Sequence, residues 1–132
     1  MNLNLLLVED DEIEIMKFSK VLNKLKKTCK ISIAKNGEEA LAIARKTIPN
    51  LILLDLSMPK MCGLEVLENI RSEVGLSFIP TVILTTSNNH RDMLAAYNLG
   101  VAGYFVKPLR YEAYALQIEK IINYWSDNEF VK

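Results

Sequence analysis

The chain has 132 residues, half of them hydrophobic, which is enough for one domain that buries a core without disulfides or structural metals. Its 16 basic and 16 acidic side chains cancel to a formal net charge of zero. This balance excludes the strongly basic surface that nucleic acids and anionic membranes attract, so we expect neither as a partner.

The first apolar run, LNLLLV, is a predicted strand that ends in closely spaced acidic residues. Asp11 is suited to cap the next helix, and Glu12 and Glu14 would lie in the first turn, where negative charge complements the helix dipole. Glu9 and Asp10 have no such role. They stand at the carboxyl end of the strand, where a doubly wound sheet has its polar crevice.

Helical and strand patterns then alternate up to the middle of the chain. Helical spacing predicts a first helix, the segment KISIA predicts a second strand, and Asn36-Gly37 marks a turn. A second helix follows the turn and stops at Pro49. The apolar positions of these two helices are Ile15, Phe18, Leu22 and Leu25, and then Ala40, Leu41, Ala44 and Ile48.

The central stretch LILLDLSMPKMCG has the most evident chemistry. Its opening run LILL is typical of a strand buried on both faces, and Asp55 ends that run. Because burying an unpaired carboxylate is costly, Asp55 should lie at the rim of the sheet, facing the crevice. Met58-Pro59 would begin an irregular loop, and Gly63 would supply backbone freedom before a helix resumes at Leu64.

Two further strands and three helices complete the pattern. The strand TVILT ends in the hydroxyls of Thr85, Thr86 and Ser87, and the strand GYFV ends in Lys107-Pro108. The asparagine pair at 88–89 can cap the helix between them, which would close at a glycine. The predicted apolar positions of the three helices are Leu64, Leu67, Ile70 and Val74; Met93, Leu94 and Tyr97; and Tyr111, Tyr114, Ile118, Ile122 and Trp125.

Five β-α repeats predict a doubly wound parallel sheet with helices on both faces. The carboxyl ends of its strands supply Glu9, Asp10, Asp55, Thr85 and Lys107. Carboxylates this close repel one another unless a divalent cation lies between them, and oxygen ligands without His or Cys favour a hard ion such as Mg²⁺. Such a set of residues is what holding a phosphoryl group on a carboxylate would require.

The segments LLLVED, LILLDLSMPKMCG, TVILTTS and GYFVKP, in this order and spacing, resemble the receiver domain of two-component response regulators. The resemblance covers nearly the whole chain. It implies a flavodoxin-like sheet of five strands in the order 2-1-3-4-5 with five helices, and we expect residues 1–132 to form a single receiver domain with no output domain. It also implies that the protein accepts a phosphoryl group from the phosphohistidine of a sensor kinase.

Carried over by motif, the resemblance also implies the roles of single residues. Asp55 would be the phosphoryl acceptor, Lys107 the partner of a phosphoryl oxygen, Thr85 the switch hydroxyl and Tyr104 the aromatic rotamer switch. The Mg²⁺ ligands would be Asp10 directly, its acidic partner Glu9, Asp55 and the backbone carbonyl of Ser57. The Lys107–Pro108 peptide bond would be cis.

Three positions allow more than one interpretation or depart from the pattern of the family. Thr86 competes with Thr85 as the switch hydroxyl, although the count back from Lys107 and the end of the apolar run favour Thr85. Cys62 stands where the family more often has Asp or Asn, and it would place a thiol near the site. His90, the only histidine, is interpreted as a surface residue and not as a phosphoacceptor.

The sequence also bears on three alternative functions. A Mg²⁺-dependent phosphohydrolase with an aspartate nucleophile would need a second aspartate two residues after the first, where this chain has Ser57. A flavin-binding module would need a phosphate-binding loop where Glu9 and Asp10 stand. A receiver-like binding module without phosphorylation would not need the complete set of phosphorylation residues.

We therefore expect a phosphoacceptor with self-catalysed phosphotransfer and autodephosphorylation, and not a separate enzyme. Its partners would be a sensor histidine kinase or a phosphotransfer protein, a downstream protein, and a second copy docked through the face that carries the last two helices. Cys29 and Cys62 lie far apart without a CxxC partner, and no apolar run reaches about 18 residues. These features favour a cytoplasmic location.

Overall fold

The computed structural model describes residues 3–25, 29–58 and 61–131, in which five strands and five helices alternate. Pro59, predicted to begin a loop with Met58, lies outside the described residues. The strands are β1 (Leu3–Val8), β2 (Cys29–Ala34), β3 (Leu51–Leu54), β4 (Thr81–Thr85) and β5 (Gly103–Val106). The helices are α1 (Glu12–Lys24), α2 (Gly37–Thr47), α3 (Gly63–Ser72), α4 (His90–Asn98) and α5 (Tyr111–Ser126).

The strands form one parallel sheet in the order β2-β1-β3-β4-β5, which confirms the predicted fold and strand order. The continuous apolar runs occupy its centre: all four residues of β3 and all five of β4 are buried. Such runs suit a strand that is covered on both faces, since alternate side chains point to opposite sides.

Two apolar layers cover the sheet. The first contains Leu6, Ile52 and Ile83 of the sheet, packed against α2, α3 and α4. Leu5 and Leu53, which point the other way, pack in the second layer with α1 and α5. Helices on both faces leave the carboxyl ends of the strands as the edge where loops and polar residues collect. No described helix is both long enough and apolar enough to cross a membrane.

Side-chain caps determine where several helices begin. The carboxylate of Asp11 accepts hydrogen bonds from the backbone N–H groups of Ile13 and Glu14, as the sequence predicts for α1. Asn36 and Asn89 cap α2 and α4 in the same way. At the other end of α2, Ile48 adopts a left-handed conformation with φ of 44° just before Pro49.

Four residues predicted on apolar helix faces are instead exposed. α2 ends at Thr47, so Ile48 lies just beyond the helix and is exposed. α3 ends at Ser72, so Val74 lies beyond the helix and is exposed to solvent. Leu94 and Tyr97 are also exposed, because α4 buries only the small side chain of Ala96 against its neighbours.

Candidate functional site

The pairing of β1 with β3 brings Glu9 and Asp55 together. Val8 and Leu54 are partners in the sheet register, so the residues that follow them leave the sheet side by side. The N–H of Asp55 donates a hydrogen bond to the carbonyl of Val8 at 3.1 Å, which extends the pairing by one residue. The shared edge of the two strands therefore determines where both carboxylates lie.

Glu9, Asp10 and Asp55 form an acidic cluster that could hold a metal ion. Each offers a carboxylate oxygen, and these oxygens lie within 4.8 Å of one another. Glu9 is 4% exposed and Asp55 8%, whereas Asp10 is half-buried. Oxygen donors of this charge and spacing fit a hard divalent cation, which would offset their mutual repulsion.

Lys107 supplies the positive charge of the site. It follows β5, and its Nζ donates a hydrogen bond of 2.7 Å to Glu9 Oε1 across 98 residues of sequence. Burial raises the pKa of Glu9 to about 7, and the charge of Asp55 adds to this effect while Lys107 opposes it. Burial lowers the pKa of Lys107, but its hydrogen bond to Glu9 and the negative charges of Glu9, Asp55 and Glu14 outweigh this, so its pKa is raised overall.

The Lys107–Pro108 peptide bond differs from the prediction. The described residues contain no cis peptide bond, so this bond is trans. The trans isomer is the intrinsic preference before proline by about 0.5–1 kcal/mol, and Lys107 reaches Glu9 with the bond in this form.

Gly63 lies directly against the backbone of Asp55. A Cβ atom on Gly63 would stand 2.4 Å from the Asp55 carbonyl oxygen and 2.7 Å from the Cα of Leu56. Gly63 also donates its N–H to the carbonyl of Leu56 at 3.1 Å. The glycine is thus explained by close approach, and not by the backbone freedom that the sequence suggested, since its φ is not positive.

The two threonines at the end of β4 have different surroundings. Thr85 is fully buried, and its Oγ1 accepts a hydrogen bond from the N–H of Ser87 at 3.3 Å. Thr86 is exposed and lines the cleft beside Asp55. The choice of Thr85 as the switch hydroxyl therefore stays a prediction.

Tyr104 is connected to the same loop. Its hydroxyl donates a hydrogen bond of 2.9 Å to the carbonyl of Ser87, and its ring is half-buried. Burial raises the pKa of Tyr104, with smaller contributions from the charges of Asp92 and Asp55. Ser87 in turn donates its hydroxyl to Asp92 at 2.7 Å, so the loop after β4 is tied to both β5 and α4.

The remaining predicted positions lie around the cleft or outside it. Ser57 is exposed in the cleft. Cys62 is an exposed residue at the N-cap of α3, and His90 is the exposed first residue of α4. The open cleft has a volume of about 290 Å³ and is lined by Glu9, Asp10, Asp11, Glu14, Asp55, Ser57, Thr86 and Lys107.

Glu14 is a member of this cleft that contacts Lys107 and that sequence reasoning missed. The sequence assigned it to the helix dipole, but one of its oxygens lies 3.7 Å from Lys107 Nζ. Glu14 precedes Phe18 and Val21, both buried, by four and seven residues. That spacing places it on the inward face of α1, and it is the signal that could have identified it.

Comparison with known proteins identifies the family. A family model described as the response regulator receiver domain matches residues 5–119. The probable methanogenesis regulatory protein FilR2 of Methanothrix harundinacea is 36% identical, over 92% of this chain and 82% of its own length. The response regulator Rcp1 of Synechocystis is 34% identical, over 92% of this chain and 87% of its own.

Two solved structures share the fold along almost the full chain. The Mn²⁺-bound form of Rcp1 has a TM-score of 0.89 and 32% identity, and the alignment covers 98% of this chain and 99% of Rcp1. The phosphorylated cyanobacterial phytochrome response regulator RcpA has a TM-score of 0.94 and 30% identity, with both chains covered completely. The chain therefore belongs to the receiver-domain family of two-component response regulators.

Proposed function

We propose that this receiver accepts a phosphoryl group on Asp55 from a phosphohistidine, with Mg²⁺ bound at the acidic cluster, and signals through contact with other proteins. The donor would be a sensor histidine kinase or a phosphotransfer protein. The donor and the downstream protein would both bind the receiver in the cytoplasm. Phosphoryl acceptance is a general property of receiver domains.

One observation carries the proposal: Asp55 forms a cluster with two further carboxylates beside a buried ammonium group. Glu9 and Asp10 offer oxygens within 4.8 Å of Asp55, and Lys107 is held beside them by Glu9. A lone surface aspartate would have neither the cation site nor the ammonium group. The arrangement supports charge neutralisation around an incoming phosphoryl group.

The transfer is a displacement at phosphorus. A carboxylate oxygen of Asp55 attacks the phosphorus atom, and the P–O bond forms while the P–N bond to the histidine breaks. The imidazole nitrogen leaves with the electron pair and takes up a proton, which yields an acyl phosphate on the protein. Lys107 would donate a charged hydrogen bond to a phosphoryl oxygen.

Glu9, Asp10, Asp55 and the backbone carbonyl of Ser57 would hold the metal. When bound, Mg²⁺ supplies Lewis-acid stabilisation of negative charge on the phosphoryl oxygens. The phosphorylated RcpA and the Mn²⁺-bound Rcp1 support the proposal by likeness. The absence of an acid or base at Ser57 argues against a phosphohydrolase that acts on a separate substrate, so autodephosphorylation would be the only turnover.

Intact-protein mass spectrometry tests the acceptor. Wild-type protein incubated with Mg²⁺ and phosphoramidate should gain one phosphoryl mass, and Asp55→Asn should gain none. Asp127→Asn, beyond the end of α5, is the matched control and should behave as wild type. Undiminished phosphorylation of Asp55→Asn would contradict the assignment.

The metal ligands can be ranked by calorimetry. Asp10→Asn should weaken Mg²⁺ binding more than Glu9→Gln, because Glu9 is already engaged by Lys107 and by the N–H of Asp11. Equal losses would mean that the two carboxylates share the ligation evenly.

The signal would leave through the output face, defined as α4, β5 and α5. This face exposes the apolar side chains of Leu94, Tyr97, Val106 and Leu116. A phosphoryl group that draws the hydroxyl of Thr85 would loosen the loop that Tyr104 now contacts through Ser87. One charged hydrogen bond of about 1.5–3 kcal/mol is enough to shift a two-state population tenfold or more.

Amide hydrogen exchange tests the output face. Phosphorylation should change exchange across residues 85–115, well beyond the site itself, and Tyr104→Ala should reduce that spread. Changes confined to the loops that carry Asp10, Asp55 and Lys107 would exclude the face as the output. A second copy docked on the same face would appear as a concentration-dependent increase in mass by light scattering.

A further inference from the structure

Glu14 lies in the first turn of α1 and faces the cleft that contains Asp55. Its Oε1 is 3.7 Å from Lys107 Nζ, and its Oε2 is 3.1 Å from Lys17 Nζ. Oε2 is buried and accepts no hydrogen bond from any described residue, so Lys17 balances its charge without satisfying its hydrogen-bonding capacity. An oxygen in that state costs free energy, and its presence requires an explanation.

Among the described residues, Glu9 and Glu14 both form ion pairs with the ammonium group of Lys107. Its Nζ is 2.7 Å from Glu9 and 3.7 Å from Glu14, and its side chain is only 6% exposed. A cation at the acidic cluster would weaken the hold of Glu9 on Lys107, because it would neutralise part of that carboxylate's charge. Glu14 is then the anion that competes with a phosphoryl oxygen for the same ammonium group.

Lys17 limits this competition from the other side. Its ammonium group lies 4.7 Å from the ring centroid of Tyr114, which is 1% exposed, so a cation–π contact with a fixed ring helps to hold it in place. Glu14 therefore lies between two ammonium groups. That of Lys107 is in the site, and that of Lys17 is at the contact between α1 and α5.

We propose that Glu14 is a positioning residue that holds Lys107 back from the phosphoryl group, and that Lys17 weakens this hold by pairing with the second oxygen of Glu14. The inference rests on the proposed function and deepens it, because it gives α1 control over the rate at which Asp55 is phosphorylated. Glu14 acts through Lys107 and does not touch the reacting atoms.

The proposal predicts opposite effects for two neighbouring substitutions. Glu14→Gln removes the competing carboxylate at nearly constant size, so phosphorylation by phosphoramidate at saturating Mg²⁺ should become about two- to fivefold faster, the range expected for one partly exposed ion pair. Lys17→Gln leaves Glu14 with Lys107 alone, so the rate should fall by a similar factor. In the double variant the effect of Lys17→Gln should disappear, because no carboxylate remains to be released.

Glu12→Gln is the matched control. Glu12 lies in the same helical turn as Glu14, and its substitution removes the same charge. However, Glu12 is exposed and pairs with Lys35 outside the cleft. Its phosphorylation rate should equal that of wild type. Mg²⁺ affinity, measured by calorimetry without a phosphodonor, should stay within about threefold of wild type in every variant, since Glu14 is not one of the three clustered carboxylates.

The results of these measurements distinguish a structural role of Glu14 from a failure of the proposed function. A purely structural role would lower the melting temperature, the Mg²⁺ affinity and the rate of Glu14→Gln together. The inference is overturned by that result, by a Glu14→Gln rate no higher than that of Glu12→Gln, or by a Lys17→Gln effect that persists in the double variant. If wild-type protein itself gains no phosphoryl group, the proposed function fails instead.

Discussion

Substituting Gly63 by alanine tests whether close packing at the start of α3 holds Asp55 in place. The new Cβ would stand 2.4 Å from the Asp55 carbonyl oxygen and 3.0 Å from its carbonyl carbon. Ordinary contacts lie near 3.4–4 Å, so either α3 or the backbone that carries Asp55 must move by about an ångström. The obstructing atoms are backbone, which cannot rotate away as a side chain could.

The size of the effect follows from two opposing contributions. Overpacking against backbone should cost about 2–3 kcal/mol, the upper part of the usual range, whereas alanine gains at most about 1 kcal/mol over glycine in a helix. The net loss in the free energy of unfolding is then about 1–2 kcal/mol. For a domain of this size that corresponds to a melting temperature about 4–8 °C lower.

Urea unfolding followed by circular dichroism measures the loss, and phosphorylation by phosphoramidate measures its effect on the site. Displacing Asp55 from its position should slow phosphorylation roughly tenfold, because misplacement of a reacting group by an ångström can cost more than that. Gly75→Ala is the control: a Cβ there meets nothing within 4 Å and φ is not positive, so stability should be unchanged or about 0.4–1 kcal/mol higher. Equal stability and equal phosphorylation of the two variants would refute the reasoning.

Three further predictions address the surroundings of the site. Ser57 offers no carboxamide or acid to position an attacking water, so Ser57→Asn should shorten the lifetime of the acyl phosphate; an unchanged decay by mass spectrometry would contradict this. Cys62 is exposed, whereas burial raises the pKa of the Cys29 thiol, so iodoacetamide at pH 8 should label Cys62 first, as peptide mapping would show. The Arg45 guanidinium lowers the pKa of Glu73 below its ordinary 4.5, so the stability that Glu73 contributes is present at neutral pH and lost as the pH falls through the lowered value. The urea midpoints of wild type and Glu73→Gln should therefore differ at pH 7 and converge once the pH falls below the lowered pKa of Glu73. A constant difference would exclude the ion pair as its cause.

Much of the fold is determined by the sequence alone. The strands at Leu51–Leu54 and Thr81–Thr85 have the predicted bounds, because short continuous apolar runs between turn residues are typical of strands covered on both faces. Asp11 and Asn89 cap helices as predicted, since capping depends on local backbone geometry. The alternation of elements restricted the sheet to a doubly wound topology, and this brought the carboxyl ends of the strands together.

The spacing of apolar residues within one helix did not predict burial where burial depends on the neighbouring element. Leu94 and Tyr97 have helical spacing but are exposed, because α4 packs through Ala96 and leaves its larger side chains outside. Helical periodicity shows which residues share a face, yet it does not show whether another element covers that face.

The pairing of charges in the site was decided by the tertiary structure. Glu9 and Lys107 are 98 residues apart, and Glu14 reaches the same ammonium group from a helix. Contacts of this kind depend on the register of β1 with β3 and on the direction in which each side chain leaves its element, which residue spacing within one segment does not encode. The close approach of Gly63 to Asp55 has the same origin: the sequence shows a glycine after the loop, and only the folded backbone shows what a larger side chain would strike.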